Sequence, residues 1–373
     1  MQTKTKSLKV AIVHDWLYGG GAEKVVLELH KMFPEAPIYT SFSTKEWEQK
    51  LDNKVITGYL NKWPFSKLRK FIPILRIWWF EHLNLTSYDL VISSSGAEAK
   101  GVKKLKKSAI HVNYCHAPTH YYWSKYNQFI KEPGFGVFNV LARAGLRLLV
   151  KPLRSWDYKA AQRPNYIITN STYIQEQVEK YYGRSSVVIH PPVDIERFIN
   201  TKSTMHKKGL IITGRQVPYK RIDLAIKAAI KLNQPLVVIG KGPMHQELVN
   251  LANGNKNIKF LNNASDEVVE QELAKARLFI FPCLEDFGIA PVEALASGTP
   301  VVAYKKGGAL DYINYQNGIF FNEQSLKSLS SAIEKALKTS WNAEAVKKSS
   351  KKFSKENFQK NMTNYLEKVK APQ

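Results

Sequence analysis

The residues best suited to chemistry sit in loops. Phe281-Pro282-Cys283-Leu284-Glu285-Asp286-Phe287-Gly288-Ile289-Ala290-Pro291-Val292-Glu293 is the most specific stretch. It puts Glu285 directly after an apolar strand-like run and Glu293 in the first turn of the helix expected next. A carboxylate at a helix start can be a favourable N-terminal charge and nothing more. Two carboxylates flanking a Gly-containing strand-to-helix loop can also accept hydrogen bonds from sugar and ribose hydroxyls, while the backbone amides of Phe287, Gly288 and Ile289 meet a phosphate. Thr213-Gly214-Arg215, with Lys220 five residues beyond Arg215, also lies where a strand runs into a helix. An Arg and a Lys converging there would neutralise a diphosphate and stabilise the charge that develops on it as a leaving group. The bland reading of that pair is a solvated helix start.

A third loop, Tyr18-Gly19-Gly20-Gly21-Ala22-Glu23, follows a strand and opens a helix, so its amides can approach a phosphate or a sugar closely. A dinucleotide site asks for a third glycine and an acidic residue at the end of the second strand. Here Lys24 takes that glycine position and Ala36-Pro37-Ile38-Tyr39-Thr40 offers no carboxylate. A substrate-facing loop or a plain tight turn remains. His116, in Tyr114-Cys115-His116-Ala117-Pro118, is a further candidate, set against the reading of a satisfied core histidine.

These loops need rigid elements to hold them. Short Val/Ile-rich runs over residues 8–13, 89–93, 109–114, 166–169 and 187–189 alternate with segments of helical period, and the pattern restarts at 210–213, 236–239, 258–261, 278–281 and 301–304. Alternation of this kind predicts parallel βα units. The break at His190-Pro191-Pro192 and the polar stretch 200–208 divide it, so the expected domains are 1–198 and 199–350, with a helix over 351–373 crossing back to the first. Ser297-Gly298 followed by Pro300 should close the helix that Pro291 helps to start.

Composition narrows the classes. A chain of 373 residues with 44% hydrophobic content suits two globular domains. Cys115 and Cys283 are far apart, and no CxxC, Cys/His cluster or DxD motif suggests a disulfide framework or a metal site. There is no signal-peptide pattern and no run near the roughly 18 apolar residues of a membrane span, so a cytoplasmic location is expected. The net charge of +24 favours an anionic partner. Lys62-Trp63-Pro64-Phe65-Ser66-Lys67-Leu68-Arg69-Lys70-Phe71, running on to Trp78-Trp79-Phe80, mixes cations and aromatics in the manner of an anionic membrane surface. Arg143, Arg147, Lys151 and Arg154, interleaved with leucines, form a second such segment. Both also read as amphipathic helices packed on a sheet. A nucleic-acid groove is the rival, but no binding-module signature is present and it leaves Glu285 and Glu293 idle.

Taken in order, the Gly-rich loop, Tyr114 to Pro118, Asn170-Ser171, His190-Pro191-Pro192-Val193-Asp194, Gly214-Arg215 with Lys220, the Glu285 to Glu293 stretch and Gly307-Gly308 resemble a glycosyltransferase of family 4. His14-Asp15-Trp16-Leu17 and Phe33-Pro34-Glu35-Ala36-Pro37 are similar to bacterial mannosyltransferases that build O-antigen or exopolysaccharide repeats on a lipid carrier. The resemblance implies an α/β fold of GT-B architecture, two Rossmann-like domains facing each other across a cleft, and a retaining, metal-independent transfer from a nucleotide sugar with no other cofactor. It favours GDP-mannose as donor, with a UDP-sugar the alternative, and a lipid-linked or oligosaccharide acceptor. It assigns Arg215, Lys220, Gly288 and Ile289 to the donor diphosphate, Glu285 to the donor sugar, Glu293 to the ribose, His116 to the reacting sugar, and Gly19, Gly20 and Gly21 to the acceptor side. Asp311 stands where such enzymes often carry Glu, and keeps the carboxylate. A basic non-catalytic nucleic-acid- or glycan-binding protein is the reading from another class.

Overall fold

The computed structural model of the chain describes residues 8–68, 72–131, 136, 139–201 and 207–370. It separates into two compact units, residues 1–191 with 359–373, and residues 192–358. The sequence places the division seven residues later, at 198. Packing explains the earlier point: Val193 donates its backbone N–H to the Phe353 carbonyl, and Val193, Ile195 and Phe198 are buried in the second unit's core.

Among the described residues nine strands belong to the first unit: β1 Val10–His14, β2 Ile38–Thr40, β3 Val55–Ile56, β4 Asn84–Leu85, β5 Leu90–Ser95, β6 Lys104–Leu105, β7 Ile110–Cys115, β8 Tyr166–Thr169 and β9 Val187–Val188. Seven form one sheet in the order β3-β2-β1-β5-β7-β8-β9, with every neighbouring pair parallel. β1 and β5 are buried along their whole length, as strands covered on both faces are, yet the central strands are not wholly apolar: Ser93, Ser94 and Ser95 of β5 and His111 and Asn113 of β7 are buried as well.

The second unit holds β10 Lys208–Thr213, β11 Leu236–Ile239, β12 Ile258–Leu261, β13 Ala276–Phe281, β14 Val301–Tyr304 and β15 Gly318–Phe321, in the order β12-β11-β10-β13-β14-β15 and parallel throughout. Successive side chains point to opposite faces of a strand. Accordingly Ile211, Phe279 and Val301 enter one core with Val292, Leu295 and Leu273, while Leu210, Ile280 and Val302 enter another with Ile226, Leu329 and Ile333. The expected punctuation is in place: the helix Ile289–Ala296 ends at Ser297, and Gly298, at φ +69°, bonds back to the Leu295 carbonyl. The strand order turns around between β10 and β13, and ligands of doubly wound sheets bind beyond the carboxyl ends of strands at such a point.

Candidate donor site

β10 and β13 lie side by side, so the loops leaving their carboxyl ends meet. Beyond β10, Gly214 takes φ +146° and donates its N–H to the Ile239 carbonyl. Gln216 N–H bonds the Lys241 carbonyl, which clamps the Arg215 loop to the loop after β11. That clamp requires glycine. Gly240 sits at φ +124°, and a Cβ there would overlap the Gly214 carbonyl; one on Gly242 would overlap the Gln216 backbone. A short turn, Pro218–Lys220, then brings Lys220 back over the sheet end.

Lys220 Nζ forms an ion pair with Glu285 Oε1. The two side chains are 17% and 18% exposed, largely withdrawn from water yet open to a ligand. Burial works against the Lys220 ammonium, but the Glu285 carboxylate outweighs it and holds Lys220 above the ordinary lysine range. Arg215 is exposed and makes no ion pair among the described residues. Tyr219 stands beside Lys220, and burial, followed by the Glu285 charge, raises its hydroxyl.

The Glu285 loop is held from beneath. Gly308 donates its N–H to the Glu285 carbonyl at 2.9 Å, and a Cβ on either Gly307 or Gly308 would strike the backbone of residues 285–287. The buried Tyr312 hydroxyl donates to the Phe287 carbonyl at 2.9 Å. Gly288, at φ +87°, leads into Ile289–Ala296 against Phe281 and Tyr312. Glu293 is half-buried on the first turns of that helix. Arg215, Lys220, Glu285, Gly288, Ile289 and Glu293 thus share one end of one sheet.

Motif reading did not find the polar relay behind this end. Gln216, fully buried, donates Nε2–H to the Gly240 carbonyl at 2.7 Å, so its Oε1 must accept from His245 Nδ1 at 2.9 Å. His245 Nε2 then accepts from Asn262 Nδ2 at 2.9 Å. The relay ties the loops after β10, β11 and β12 together. Its members are single polar residues without spacing or periodicity, and no sequence signal marks them.

The first unit gathers a second cluster at the ends of β1, β5 and β7. His14 Nδ1 donates to the Ser94 carbonyl at 2.7 Å, and Ser94 Oγ lies 2.7 Å from His116 Nε2. Asn170, at the end of β8, donates its side-chain amide to the His116 carbonyl. The neighbouring Asp15 carboxylate accepts three backbone N–H groups, from Gly96, Ala97 and Ala99; burial, then the Glu98 charge, nevertheless raises its pKa. Two buried ion pairs brace the same region, Arg76 with Glu98 and Lys100 with Asp157. Gly19, Gly20 and Gly21 are exposed at the start of the helix Gly21–Met32, and Glu23 accepts the Gly19 N–H. Among the described residues no group of three or more His, Cys, Asp or Glu is placed to hold a metal ion, and no helix is long and apolar enough to cross a membrane.

The basic aromatic segment over residues 62–80 divides. Trp79 and Phe80 are core residues and Arg76 is spent on Glu98, whereas Trp63 is 79% and Trp78 52% exposed. Arg69, Lys70 and Phe71 lie outside the described residues. In the second segment Arg154 binds the Tyr122 carbonyl and Arg143 the Ile130 and Lys131 carbonyls, while Arg147 and Lys151 are exposed.

Residues 19–197 match Glycosyltransferase Family 4, and residues 193–357 match Glycosyl transferases group 1, so the two matches together run through both units. The chain carries a Glycosyltransferase Family 4 domain followed by a Glycosyl transferases group 1 domain. It is similar to an uncharacterised glycosyltransferase of Methanocaldococcus jannaschii, 26% identical over 52% of this chain and 56% of the relative, so that it spans little more than half of that protein. It is also similar to the alpha-1,3/1,6-mannosyltransferase of Schizosaccharomyces pombe, 24% identical over 85% of this chain and 71% of the relative. Among solved structures, Anabaena HepE in complex with UDP-glucose superposes with a TM-score of 0.70 over 97% of this chain and 100% of that one, at 17% identity. The glycosyltransferase accordingly has the GT-B fold.

Proposed function

We propose that this glycosyltransferase moves a hexose, with retention of anomeric configuration, from GDP-mannose onto a glycan or lipid-linked acceptor in cell-surface polysaccharide synthesis. The observation that carries the reading is the Lys220–Glu285 ion pair at the end of β10 and β13, beside the exposed guanidinium of Arg215. An arriving diphosphate draws Lys220 away from Glu285. The released carboxylate then accepts hydrogen bonds from the donor-sugar hydroxyls. Arg215 and Lys220 stabilise the charge that grows on the departing nucleoside diphosphate, with the amides of Gly288 and Ile289 completing its shell. Glu293 holds the ribose, His116 contacts the reacting sugar, and Gly19, Gly20 and Gly21 lie on the acceptor side. Two cations already supply the countercharge, so the proposal includes neither a metal ion nor another cofactor. The enzyme works peripherally at the inner face of the cytoplasmic membrane, a reading supported by the net charge of +24 and the exposed apolar side chains of the first unit.

Mannose is supported by the likeness to the Schizosaccharomyces pombe mannosyltransferase over most of the chain. A UDP-sugar donor is the second reading, favoured by the fold neighbour that holds UDP-glucose. Purified protein incubated in EDTA with GDP-mannose or UDP-glucose and a lipid-linked oligosaccharide separates them. Mass spectrometry should show one hexose gained from GDP-mannose, in an α linkage by NMR. Turnover from UDP-glucose alone would select the second reading, and loss of turnover on chelation would refute metal independence.

A further inference from the structure

We propose that the first three turns of the helix Asn139–Ala161 are the surface by which this enzyme docks on an anionic bilayer. The inference rests on the peripheral-membrane reading above and assigns it to one face. Val140, Leu141 and Leu148 are 74%, 71% and 78% exposed, among the most exposed large apolar side chains of the chain. At about 100° per residue they fall, with exposed Ala144, on one stripe roughly 100° wide. An apolar stripe is ordinarily the face a helix turns to a core, and here it faces solvent. From Val150 onward the helix changes character, with Val150, Leu153, Asp157 and Ala160 buried against the fold.

Charge identifies the partner. Arg147 and Lys151 are both exposed and, at about 100° per residue, fall along the Val140 edge of the apolar stripe, Arg147 level with Leu148 and Lys151 just past it. An exposed apolar stripe with cations along its edge matches a helix lying in the plane of an anionic bilayer, its apolar side chains at the acyl boundary and its cations among the headgroups. The other two cations of the segment are committed elsewhere: Arg143 to the Ile130 and Lys131 carbonyls, Arg154 to the Tyr122 carbonyl with its guanidinium over Tyr126. Those contacts fix the helix to the body of the unit and leave Arg147 and Lys151 for the lipid. The rival face around Trp63 and Trp78 is less suited, since Trp78 stacks on His82 at 4.3 Å and Arg76 is buried.

Co-sedimentation of the full chain with vesicles of phosphatidylglycerol and phosphatidylcholine, containing no lipid-linked sugar, tests this. Wild type should bind at low salt and release as salt rises. Leu141→Ser/Leu148→Ser should reduce binding at least tenfold at every salt concentration. Arg147→Ser/Lys151→Ser should reduce it at low salt and flatten the salt dependence. Because these side chains are exposed, unfolding midpoints should match wild type. A second readout is independent of affinity: both native cysteines are buried, so Leu148→Cys can be labelled with a polarity-sensitive dye. Its emission should shift to the blue on vesicles. If wild type ignores anionic vesicles, the peripheral-membrane reading itself fails. If wild type binds but the serine variants bind equally, or the dye at 148 does not shift, this face is wrong; loss confined to Trp63→Ser/Trp78→Ser would move the assignment to that patch.

Discussion

Removing the Glu285 carboxylate should separate nucleotide binding from turnover, in opposite directions. In the unliganded enzyme Lys220 is engaged by Glu285, so a diphosphate must compete with that carboxylate for the same ammonium. Opposite unit charges in contact attract by about 4 kcal/mol at an effective dielectric near 20, and desolvation offsets much of this. Exposed pairs contribute roughly 0.2–1 kcal/mol, and removing one partner of a fully buried pair costs roughly 3–5 kcal/mol. At 17% and 18% exposure this pair belongs between those limits, nearer the first because a ligand must be able to part it. A net value of about 1.4 kcal/mol corresponds to tenfold in affinity. Glu285→Gln should therefore bind GDP about tenfold more tightly at low salt while turnover falls on the order of a hundredfold or more, as when a transition-state contact is lost. Calorimetry in EDTA with GDP, and UDP in parallel, on Glu285→Gln, Lys220→Met and the double variant gives the coupling directly. The sign with pH is fixed too. Because the folded-state value of Lys220 is raised, the pair's contribution is complete below the ordinary lysine value and disappears only as pH rises through the raised one, so the difference between wild type and Glu285→Gln should be flat from pH 7 to 9. If Glu285→Gln bound nucleotide no more tightly than wild type and the coupling were zero, the competition argument would be refuted.

Gly240→Ala should weaken nucleotide binding tenfold or more with little change in secondary structure, because its Cβ can be accommodated only by moving the Gly214 carbonyl and with it Arg215; unchanged calorimetric affinity would contradict this. Arg76→Met leaves the Glu98 carboxylate buried without its guanidinium and should cost about 3–5 kcal/mol in urea unfolding, whereas Arg76→Met/Glu98→Leu should recover part of that loss. Burial, then the neighbouring Lys347, lowers Lys207 to about 8. A lysine lowered by folding binds fewer protons in the native state than in the unfolded chain, so stability should rise from about pH 8 towards pH 9.5, before tyrosines titrate, and Lys207→Met should reduce that rise in denaturant midpoints, leaving the smaller part due to Lys352 and Lys370, which burial also lowers.

Much of the parallel fold is legible in the chain because its cause is local. A strand covered on both faces is largely apolar, and Tyr166–Thr169, Leu236–Ile239 and Val301–Tyr304 coincide with the runs read from the sequence, as does the edge strand Ile258–Leu261, whose Lys259 is exposed. β15 escaped because Gly318 opens it and only two of its four residues are buried. Glu285 and Lys220 stood out singly, through their places after strand-like runs.

Their meeting was decided by the tertiary structure. Sequence order separates β10 from β13 by two strands, and only the sheet order, which turns around there, sets them side by side and closes Lys220 on Glu285. The same holds for His14, Ser94 and His116, which come from three strands adjacent in the sheet and remote in the chain. Burial was likewise a tertiary matter. Trp78 and Trp79 are neighbours of one type, yet the first is 52% and the second 7% exposed, because a helix turns by about 100° per residue and only what packs against it decides which side is inside. The sequence determined the elements and the kinds of side chain at their ends; the order of strands in each sheet determined which of those side chains became partners.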